Sequence, residues 1–371
     1  MAEQADQRDG ETSPARVAIA SEAERDCASP SSEEFWQAES AAAGESESLV
    51  RKLARAAETL SARAVRGIIF GPSQKAIELA GIASLPAAFL SEGDGKGPGL
   101  AAAEFTLRRE ATLQPVILEG RRIGFLYEDH SGRHCVLNGV GPAHPEASPE
   151  QQTEEVFLRM EQALKSAGMD FSAVYRTWFF LDHILDWYDR FNEVRNRFFQ
   201  SRGIYERLVP ASTGVGVGNA AGWALAGSLL AARFRSPAQV TAVGSPLQCP
   251  ALEYGSSFSR AVKIESPGWR RLVVSGTASI AQDGRTLRAG ETRGQIEHTL
   301  EVVRAILQAQ EMDWDCAVRG IAYLKHSTDL PVWEETRKER GLERAPFITV
   351  KSDICRDDLL FELELDAARP I

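Results

Sequence analysis

The sequence predicts an α+β protein built from two copies of one domain, each a mixed β-sheet with two helices on one face. Two observations carry this prediction: a long segment of the chain recurs, and the same order of strand-like and helix-like segments surrounds each copy. A third observation, an acidic and apolar-poor N-terminus, restricts the folded part to the residues that follow it.

Residues 1–48 contain 12 Asp and Glu side chains and 3 Arg, a balance of −9 within a net charge of −10. They are rich in Ala, Ser and Glu and cannot bury enough apolar surface to offset chain entropy. We therefore predict a disordered acidic tail over residues 1–50. With 42 basic and 52 acidic side chains in the whole chain, no charge excess is available to bind nucleic acid.

The rest of the composition excludes several protein classes. No apolar run reaches the roughly 20 residues of a membrane span, and the N-terminus lacks the apolar part of a secretory signal. Five cysteines without paired spacing fit a reducing compartment, and six scattered histidines do not suggest a metal site. We expect a cytoplasmic protein that binds no membrane, metal or cofactor.

The repeat is clearest when residues 152–183 are laid over residues 295–326 at a constant offset of 143. Upstream, RHCVLNGVG (133–141) lies over RRLVVSGTA (270–278), with Gly139 over Gly276. Such spacing is too long for a solenoid and is typical of two copies of one domain. The identical pairs in the long segment are Gln152/Gln295, Glu154/Glu297, Leu164/Leu307, Met169/Met312, Asp170/Asp313, Arg176/Arg319, Leu181/Leu324 and His183/His326.

The second copy has the order ββ–α–β–α–ββ. β-Branched runs bounded by turn residues predict strands, and apolar residues at helical spacing predict helices. Two helices would cover one face of the sheet, so another copy or another subunit must bury the other face. The predicted strands are 258–265, 270–280, 318–326, 347–355 and 359–367, and the predicted helices are 295–310 and 330–342.

The first copy shows the same series after three additional strand-like segments. A Pro- and Gly-rich stretch separates it from the second copy. The predicted units are the tail 1–50, an N-terminal domain 51–236, a connector 237–253 and a C-terminal domain 254–371. The additional strands are 67–71, 104–110 and 122–129, followed by helix 149–167, strand 174–182, helix 186–203 and segments 212–219 and 223–234.

This order, the strand SGTAS (275–279) and the closing strand LLFELELDA (359–367) resemble the Rid (YjgF/L-PSP) superfamily, whose fold is chorismate-mutase-like. The tandem form, with YGSSFSRAV (254–262) and CRDDLLFELE (355–364), is similar to the chorismatase family. This resemblance covers roughly residues 130–371. It implies a cofactor-independent lyase or hydrolase that cleaves the enolpyruvyl ether of chorismate, releasing pyruvate and either a cyclohexadiene diol or a hydroxybenzoate.

Two positions depart from the resembling families. Simple Rid enzymes use an arginine just before the penultimate strand to hydrolyse imines, but Phe347 stands there when the chain is aligned on Val350 and Glu362. Imine deamination is therefore not expected. Chorismatases generally carry a Gly-His step after this chain's GTASI segment, where residues 281–284 read Ala-Gln-Asp-Gly. A related substrate other than chorismate therefore stays open.

The residue expected to carry the chemistry is Glu362. Strand alternation places it on one face with Glu364 and Asp366, and a half-exposed strand with solvated carboxylates is an equal alternative. If the partner domain covers this face, desolvation keeps Glu362 protonated, as donation of a proton to an enolpyruvyl methylene requires. The resemblance implies this acid role for Glu362, and Glu364 is the second choice.

A dicarboxylate substrate also needs cations and hydrogen-bond donors. Arg260 is the first candidate because a guanidinium grips a carboxylate through two parallel hydrogen bonds, although a solvent-facing arginine stays open. Cys355 is either a core residue or, as the resemblance to chorismatases that form 3-hydroxybenzoate implies, a site residue that favours an aromatic product. The other predicted binding residues are Tyr254, Ser257, Ser259, Gly276, Thr277 and Ser279.

The leading hypothesis is thus a chorismatase-type enzyme acting on a small carboxylate between two Rid-like domains. A Rid-like hydrolase of another unsaturated substrate, such as an enamine or imine, and a non-catalytic small-molecule-binding protein are the alternatives. Rid domains usually associate around a threefold axis. We therefore expect a homotrimer or a pseudo-trimeric monomer, in which residues 67–129 supply a degenerate third unit.

Overall fold

The computed structural model describes residues 16–21, 33–40, 61–71, 87–91, 101–109, 112–235 and 238–371. Three six-stranded mixed sheets lie within these ranges, and we call them the N-terminal, middle and C-terminal sheets. The middle and C-terminal sheets each carry two helices on one face, as predicted from the repeat. The helices are α1 (Pro149–Ser166), α2 (Ile184–Ser201), α3 (Thr292–Gln308) and α4 (Leu330–Glu339).

The middle and C-terminal sheets share one strand order. The middle strands are β6 (Gln114–Leu118), β7 (Arg121–Glu128), β8 (Gly132–Val140), β9 (Val174–Leu181), β10 (Ala211–Gly216) and β12 (Leu225–Phe234). The C-terminal strands are β13 (Gln239–Val243), β14 (Ala261–Ser266), β15 (Trp269–Ala278), β16 (Ala317–Leu324), β17 (Phe347–Lys351) and β18 (Phe361–Pro370). The middle sheet has the order β10-β9-β12-β8-β7-β6, and the C-terminal sheet has the corresponding order β17-β16-β18-β15-β14-β13.

The N-terminal sheet repeats the central part of this pattern. Its strands are β1 (Arg16–Ser21), β2 (Glu33–Ser40), β3 (Ala62–Phe70), β4 (Ala87–Ser91), β5 (Ala101–Arg109) and β11 (Gly218–Asn219), in the order β1-β2-β5-β3-β4-β11. In every sheet one pair of strands is parallel, and the next ladder skips a residue just before an arginine: Arg66, Arg176 or Arg319. The three arginines therefore occupy equivalent positions.

Helix boundaries follow local chemistry. Helix α1 begins after Ser148, whose side chain accepts the Gln151 N–H while the Gln151 side chain accepts the Ser148 N–H. This capping box satisfies two backbone donors that the first turn leaves free. Phe157 and Leu164 face the middle sheet from α1, and Leu300 and Leu307 face the C-terminal sheet from α3. Each of these two sheets thus forms one apolar core with its helices.

One face of each of the three sheets contacts the other two inside the chain. A buried cluster there takes Ile68 and Phe70 from the N-terminal sheet, Trp178 and Phe180 from the middle sheet, and Tyr323 with its neighbours from the C-terminal sheet. The sheet face that was expected to pack against another copy or another subunit is therefore covered by the other two sheets of the same chain.

A buried ion cluster accompanies this apolar contact. Arg319 donates to Glu104 at 2.7 Å and to Asp366 at 3.1 Å, and it also pairs with Glu364. Arg66 donates to Glu104 at 2.8 Å. Because removing one partner leaves another charge buried and unpaired, a single deletion of this kind typically costs about 3–5 kcal/mol. Arg176 of the middle sheet pairs with the same Glu364 at 2.7 Å, so the cluster ties the three sheets together and argues for a structural role of Arg319.

The structure differs from the sequence prediction at three segments. Strands β6 and β7, within the stretch 67–129 that was expected to supply a third unit, belong to the middle sheet. Strands β1 and β2 lie inside the predicted tail 1–50, and β13 lies inside the predicted connector 237–253. Composition does not report long-range strand pairing, and β2 pairs with β5 while β13 pairs with β14. The other residues of 1–50 lie outside the described ranges. No helix in the described part of the chain has both the length and the apolar character to cross a bilayer.

Candidate active site

A cavity of about 110 Å³ lies between the middle and C-terminal sheets, so both copies of the repeat line it. One water requires roughly 10–15 Å³ on this measure, so the space can hold several waters or a small organic molecule. Helix α2 and strand β10 form one wall, and the C-terminal sheet with its loops forms the other. The lining residues are Tyr188, Asp189, Asn192, Arg195, Ser212, Gly214, Tyr254, Ser256, Phe258, Arg260, Gly276, Ala278, Ile280, Cys355, Arg356 and Glu362.

Glu362 lines this cavity and is only 5% exposed. Its strand, β18, lies between β15 and β16, so Glu362 is flanked by Ala278 and Tyr323. Its carboxyl rests against Gly276, where an added Cβ would stand 1.9 Å from Oε1. Glycine is therefore needed at 276 to make room for the acid, which is a different role from the ligand contact that the sequence suggested.

The electrostatics of Glu362 favour the neutral acid. Burial, reinforced by the charge of Glu364, raises the pKa of Glu362 to about 8, and Arg176 and Arg260 oppose the shift only partly. Among the described residues, none makes a hydrogen bond with this carboxyl. At neutral pH Glu362 therefore carries a proton and faces a cavity into which it can be donated.

The equivalent positions of the other two sheets lack an acid. Strand register places Ala102, opposite Phe70, and Ala226, opposite Phe180, where the C-terminal sheet has Glu362. Alanine has no titratable group, so those two positions cannot transfer a proton. The described residues thus contain one acid of this kind per chain.

Glu364, the second choice for the acid, lies outside the cavity. Burial opposes its ionisation, but the ion pairs with Arg176 and Arg319 outweigh burial and lower the pKa of Glu364 to about 2. The Trp178 indole also donates to Glu364, with Nε1 2.9 Å from Oε1. An ionised carboxyl has no proton to donate, so this geometry gives Glu364 an electrostatic role beside Glu362.

Three guanidinium groups face the cavity. Arg260 is 3% exposed, which removes the solvent-facing alternative, and its Nε and Nη2 donate to the Cys249 carbonyl at 3.1 and 2.8 Å. Arg195 is 2% exposed and comes from α2, whereas Arg356 donates to the Gly284 carbonyl at 2.6 Å. With Glu362 neutral, the lining has three guanidinium groups and one other carboxyl group, that of Asp189, so the basic groups are in excess and suit a ligand with carboxylate groups.

Two further lining residues are held neutral by burial. Burial raises the pKa of Tyr254 to about 12, and the ring of Tyr254 lies 5.4 Å from the Arg260 guanidinium carbon. Burial also raises the pKa of the Cys355 thiol to about 12. Because the thiolate is the nucleophilic form of cysteine, Cys355 contributes shape and polarity rather than a nucleophile.

The predicted serine and threonine hydroxyls are not among the groups that line the cavity. Each of these hydroxyls hydrogen-bonds within the protein, because the acceptors buried between the middle and C-terminal sheets must be paired with donors. The Gly276 N–H is likewise taken, by the Thr213 hydroxyl at 3.0 Å. The observed bonds run from Ser257 to Asn196 at 2.6 Å, from Ser259 to the Val209 carbonyl at 2.7 Å, from Thr277 to the Ser275 carbonyl at 2.9 Å and from Ser279 to the Leu287 carbonyl at 3.0 Å.

Sequence reasoning missed the contribution of helix α2. Tyr188, Asn192 and Arg195 recur at helical spacing directly beside the apolar stripe that contains Trp187 and Phe191. The apolar stripe shows that the helix packs on a core. It does not show whether the polar residues beside the stripe line a cavity or face solvent. A polar row with a tyrosine, an amide and an arginine next to the core face was the available signal.

A larger groove of about 950 Å³ lies elsewhere, along the ends of β15 and β18, and it is lined by Trp269, Trp314 and Leu342 among others. Its size alone would favour it over the cavity at Glu362. Its lining contains no buried carboxyl, whereas strongly shifted pKa values concentrate at functional sites. We therefore place the candidate site at Glu362.

Comparison with known proteins agrees with this architecture. A family profile described as Endoribonuclease L-PSP matches residues 130–225. The 3-hydroxybenzoate synthase of Streptomyces hygroscopicus is 26% identical over 276 residues, which are 66% of this chain and 76% of that protein. A chorismatase of Streptomyces rapamycinicus is 29% identical over 223 residues, which are 53% of this chain and 64% of that protein.

A solved structure extends the likeness to almost the whole chain. The crystal structure of a chorismatase matches 95% of this chain and 98% of its own with a TM-score of 0.60. Sequence identity in that match is 18%, so the match shows a common fold. The tandem fold expected from the repeat is therefore confirmed.

Proposed function

Because the chain belongs to the Rid (YjgF/L-PSP) superfamily, we propose that it is a cofactor-independent lyase of the chorismatase type. It would cleave the enolpyruvyl ether of chorismate, or of a closely related carboxylate, and release pyruvate. The observation that carries this proposal is the buried, protonated carboxyl of Glu362 in the lining of a cavity that three arginines also line. Similarity to a chorismatase and to a 3-hydroxybenzoate synthase supports the substrate class.

In the proposed reaction Glu362 donates its proton to the methylene carbon of the enolpyruvyl group. The carbon–carbon double bond becomes a methyl group, and the neighbouring ether carbon becomes an oxocarbenium ion. Water, or a hydroxyl group of the substrate, adds to that carbon and returns a proton to Glu362. After addition of water, collapse of the hemiketal breaks the ether bond, so that pyruvate leaves and the ring oxygen keeps a proton.

The surrounding charges suit both stages of this reaction. Arg195, Arg260 and Arg356 would hold the carboxylates of the substrate, since each guanidinium can make paired hydrogen bonds to a carboxylate. Once Glu362 has lost its proton, its negative charge and that of Glu364 lie beside the oxocarbenium ion. Opposite charges in a dry site attract strongly, which lowers the barrier to protonation.

We further propose a hydroxybenzoate as the product. Cys355 lines the cavity, and the resemblance to chorismatases that form 3-hydroxybenzoate implies a cysteine at this spacing. The similarity to a 3-hydroxybenzoate synthase supports the same product. In this version the neighbouring ring hydroxyl captures the oxocarbenium ion as a cyclic ketal. That hydroxyl oxygen then leaves the ring with the electrons of its bond to the ring carbon and becomes the carbonyl oxygen of pyruvate, which breaks the original ether bond at the ketal carbon. The ring carbon that bears the remaining oxygen loses its proton, which passes to that oxygen and yields the hydroxybenzoate.

Hydrolysis of an imine is less well supported. Phe347 occupies the position of the arginine that simple Rid enzymes use, and its ring packs against Gly320 and Trp314 in the C-terminal core. A phenylalanine cannot bind the carboxylate of an imino acid. No specific observation among the described residues therefore favours the deaminase alternative.

Pyruvate release tests the proposal. Purified protein is mixed with chorismate, and pyruvate is followed through NADH oxidation by lactate dehydrogenase. We expect turnover by the wild-type chain and a loss of about 10²–10⁴-fold in Glu362→Gln, the range that a general acid typically contributes. No pyruvate at millimolar chorismate would overturn the proposal. Thermal stabilisation by chorismate without turnover would indicate a binding protein instead.

A further inference from the structure

Thr213 connects the buried ion cluster to the catalytic cavity. Its side chain is buried on β10, with 1% exposure. The Thr213 Oγ1 accepts hydrogen bonds from the Arg176 guanidinium at 2.7 Å and from the Gly276 backbone N–H at 3.0 Å. Thr213 also hydrogen-bonds to Glu364, and this bond contributes to the low pKa of Glu364. One hydroxyl therefore joins three groups that surround Glu362.

The Gly276 N–H lies close to Glu362, but it donates its hydrogen bond to Thr213. An added Cβ on Gly276 would stand 1.9 Å from Oε1 of Glu362. With a carbon–carbon bond of about 1.5 Å, Oε1 lies no more than about 3.4 Å from the Gly276 Cα, and no more than about 5 Å from its nitrogen. A backbone donor thus sits beside the acid, yet it is directed to Thr213.

We propose that Thr213 is a positioning residue for the acid: by accepting the Gly276 N–H, it withholds that donor from Glu362. This inference rests on the proposed function, because it assigns Thr213 a part in proton donation by Glu362. A hydrogen bond to a carboxylate favours the ionised form. Because the donor is withheld, Glu362 stays neutral, and it interacts with the nearby charged groups electrostatically but not through hydrogen bonds.

The charged and titratable groups around Glu362 come from several elements. Arg176 on β9 and Arg260 before β14 favour its ionised form, and Glu364 on the same strand opposes it. None of these groups hydrogen-bonds to the Glu362 carboxyl in the described part of the chain, so a new donor would add a kind of interaction that this carboxyl lacks. The neutral groups with electrostatic interactions with Glu362 are Tyr188 on α2, Tyr323 on β16 and Cys355 before β18.

The test begins with Thr213→Val, which removes the hydroxyl and keeps the shape of the side chain. The freed Gly276 N–H is then expected to turn to Glu362 and stabilise its ionised form. We expect the high-pH limb of kcat/KM for pyruvate release to move down by about one pH unit, a tenfold loss of activity on that limb. Thr213→Ser keeps the hydroxyl and is expected to leave the limb in place.

Thr349→Val is the matched control. Thr349 is a buried threonine on β17, the strand that corresponds to β10, and its hydroxyl accepts the Trp333 indole N–H at 3.1 Å. Its loss is expected to lower thermal stability without moving the limb. If Thr213→Val does not fold, Thr213→Cys replaces it, because a thiol is a weak acceptor and gives a smaller shift in the same direction.

A second readout requires no turnover. Difference infrared spectroscopy of the ligand-free protein follows the carboxylic C=O band of Glu362, assigned by its loss in Glu362→Gln. The band is expected to disappear at lower pH in Thr213→Val than in the wild type. An unchanged titration overturns the role of Thr213, even if activity falls. A wild-type chain that releases no pyruvate overturns the proposed function alone, and the infrared titration still decides on Thr213.

Discussion

Glu362 and Glu364 lie two residues apart on one face of β18, and their surroundings shift their pKa values in opposite directions. Burial without a hydrogen-bond donor raises the pKa of Glu362 to about 8, whereas Arg176 and Arg319 lower the pKa of Glu364 to about 2. One strand therefore presents a neutral carboxyl and an ionised carboxyl at neutral pH. Paired carboxyl groups with separated pKa values are a recurrent basis of acid catalysis.

The pH dependence of pyruvate release is expected to follow Glu362. Because the acid must be protonated, kcat/KM should be level from pH 6 to about 7.5 and fall tenfold per unit above about 8. Initial rates between about pH 6 and 10 measure this limb. The substrate carboxylates are already ionised throughout this range, so they do not contribute. A limb near pH 4–5, where an ordinary glutamate titrates, would contradict the acid role of Glu362.

Gly276→Ala is expected to impair catalysis more than folding. The new methyl group would stand 1.9 Å from Oε1 of Glu362, so the flexible carboxyl must move aside. Displacement of a catalytic group by about 1 Å can cost about 100-fold in rate. Gly244→Ala is the control, because an added Cβ at Gly244 meets nothing within 4 Å. Equal activity of the two variants would show that the space over Gly276 is not needed.

Arg195→Lys is expected to weaken substrate binding. A lysine keeps the charge but loses the paired donors of the guanidinium, and hydrogen bonds to charged groups contribute about 1.5–3 kcal/mol. The KM for chorismate should rise about 10–100-fold with a smaller change in kcat. Arg197, an exposed residue on the same helix, provides the control Arg197→Lys. Similar KM values for both variants would remove Arg195 from the binding site.

Cys355→Ala is expected to change the product more than the rate. The thiol of Cys355 lies in the cavity and stays neutral, because burial raises its pKa to about 12. Removing it opens space for water beside the oxocarbenium ion, which favours a diene diol over a hydroxybenzoate. Chromatography of the products at equal pyruvate yield measures the ratio. Cys316→Ala, whose thiol lies in the groove away from Glu362, should leave the ratio unchanged.

Glu362→Gln is expected to stabilise the protein at high pH. The pKa of Glu362 is about 8 in the folded protein and 4.5 in the unfolded chain, so between these pH values only the folded state keeps the proton. The contribution of Glu362 to the free energy of unfolding is therefore fully present below pH 4.5 and is lost as the pH rises to about 8. Glutamine is neutral throughout. The variant should therefore melt several degrees above the wild type at about pH 9 and at nearly the same temperature at about pH 5, by calorimetry.

Glu364→Gln provides the contrasting measurement for this last prediction. It leaves Arg176 and Arg319 without a charged partner at Glu364, so it should lower the melting temperature at the same high pH. If both glutamine variants changed stability in the same direction, the opposite environments of the two carboxyl groups would be refuted.

Much of the fold was accessible from the sequence because its signals are local. The spacing of apolar residues predicted α1 and α3, and strand-like runs bounded by turn residues predicted β16 and β18, each within a few residues of the observed bounds. The repeat then predicted that two such units pack against each other. The strands β1 and β2 were not predicted, because their sequences lie in a polar, acidic stretch and they form by pairing with each other and with β5.

The candidate site was only partly accessible. Tyr254, Arg260, Gly276, Cys355 and Glu362 do line one cavity. The hydroxyl groups proposed beside them bond to the protein, and α2 supplies Tyr188, Asn192 and Arg195 instead. Which side chain lines a cavity depends on how two sheets pack against each other. The sequence of one strand does not predict that packing.

By itself the sequence determined a duplicated α+β unit and the face of β18 on which the acids lie, since both follow from periodicity along the chain. Only the tertiary structure decided that Glu362 is a neutral acid and Glu364 an ionised one. The reason is physical: a pKa depends on desolvation and on nearby charges, and Arg176 lies 188 residues away in the chain from the Glu364 that it pairs with.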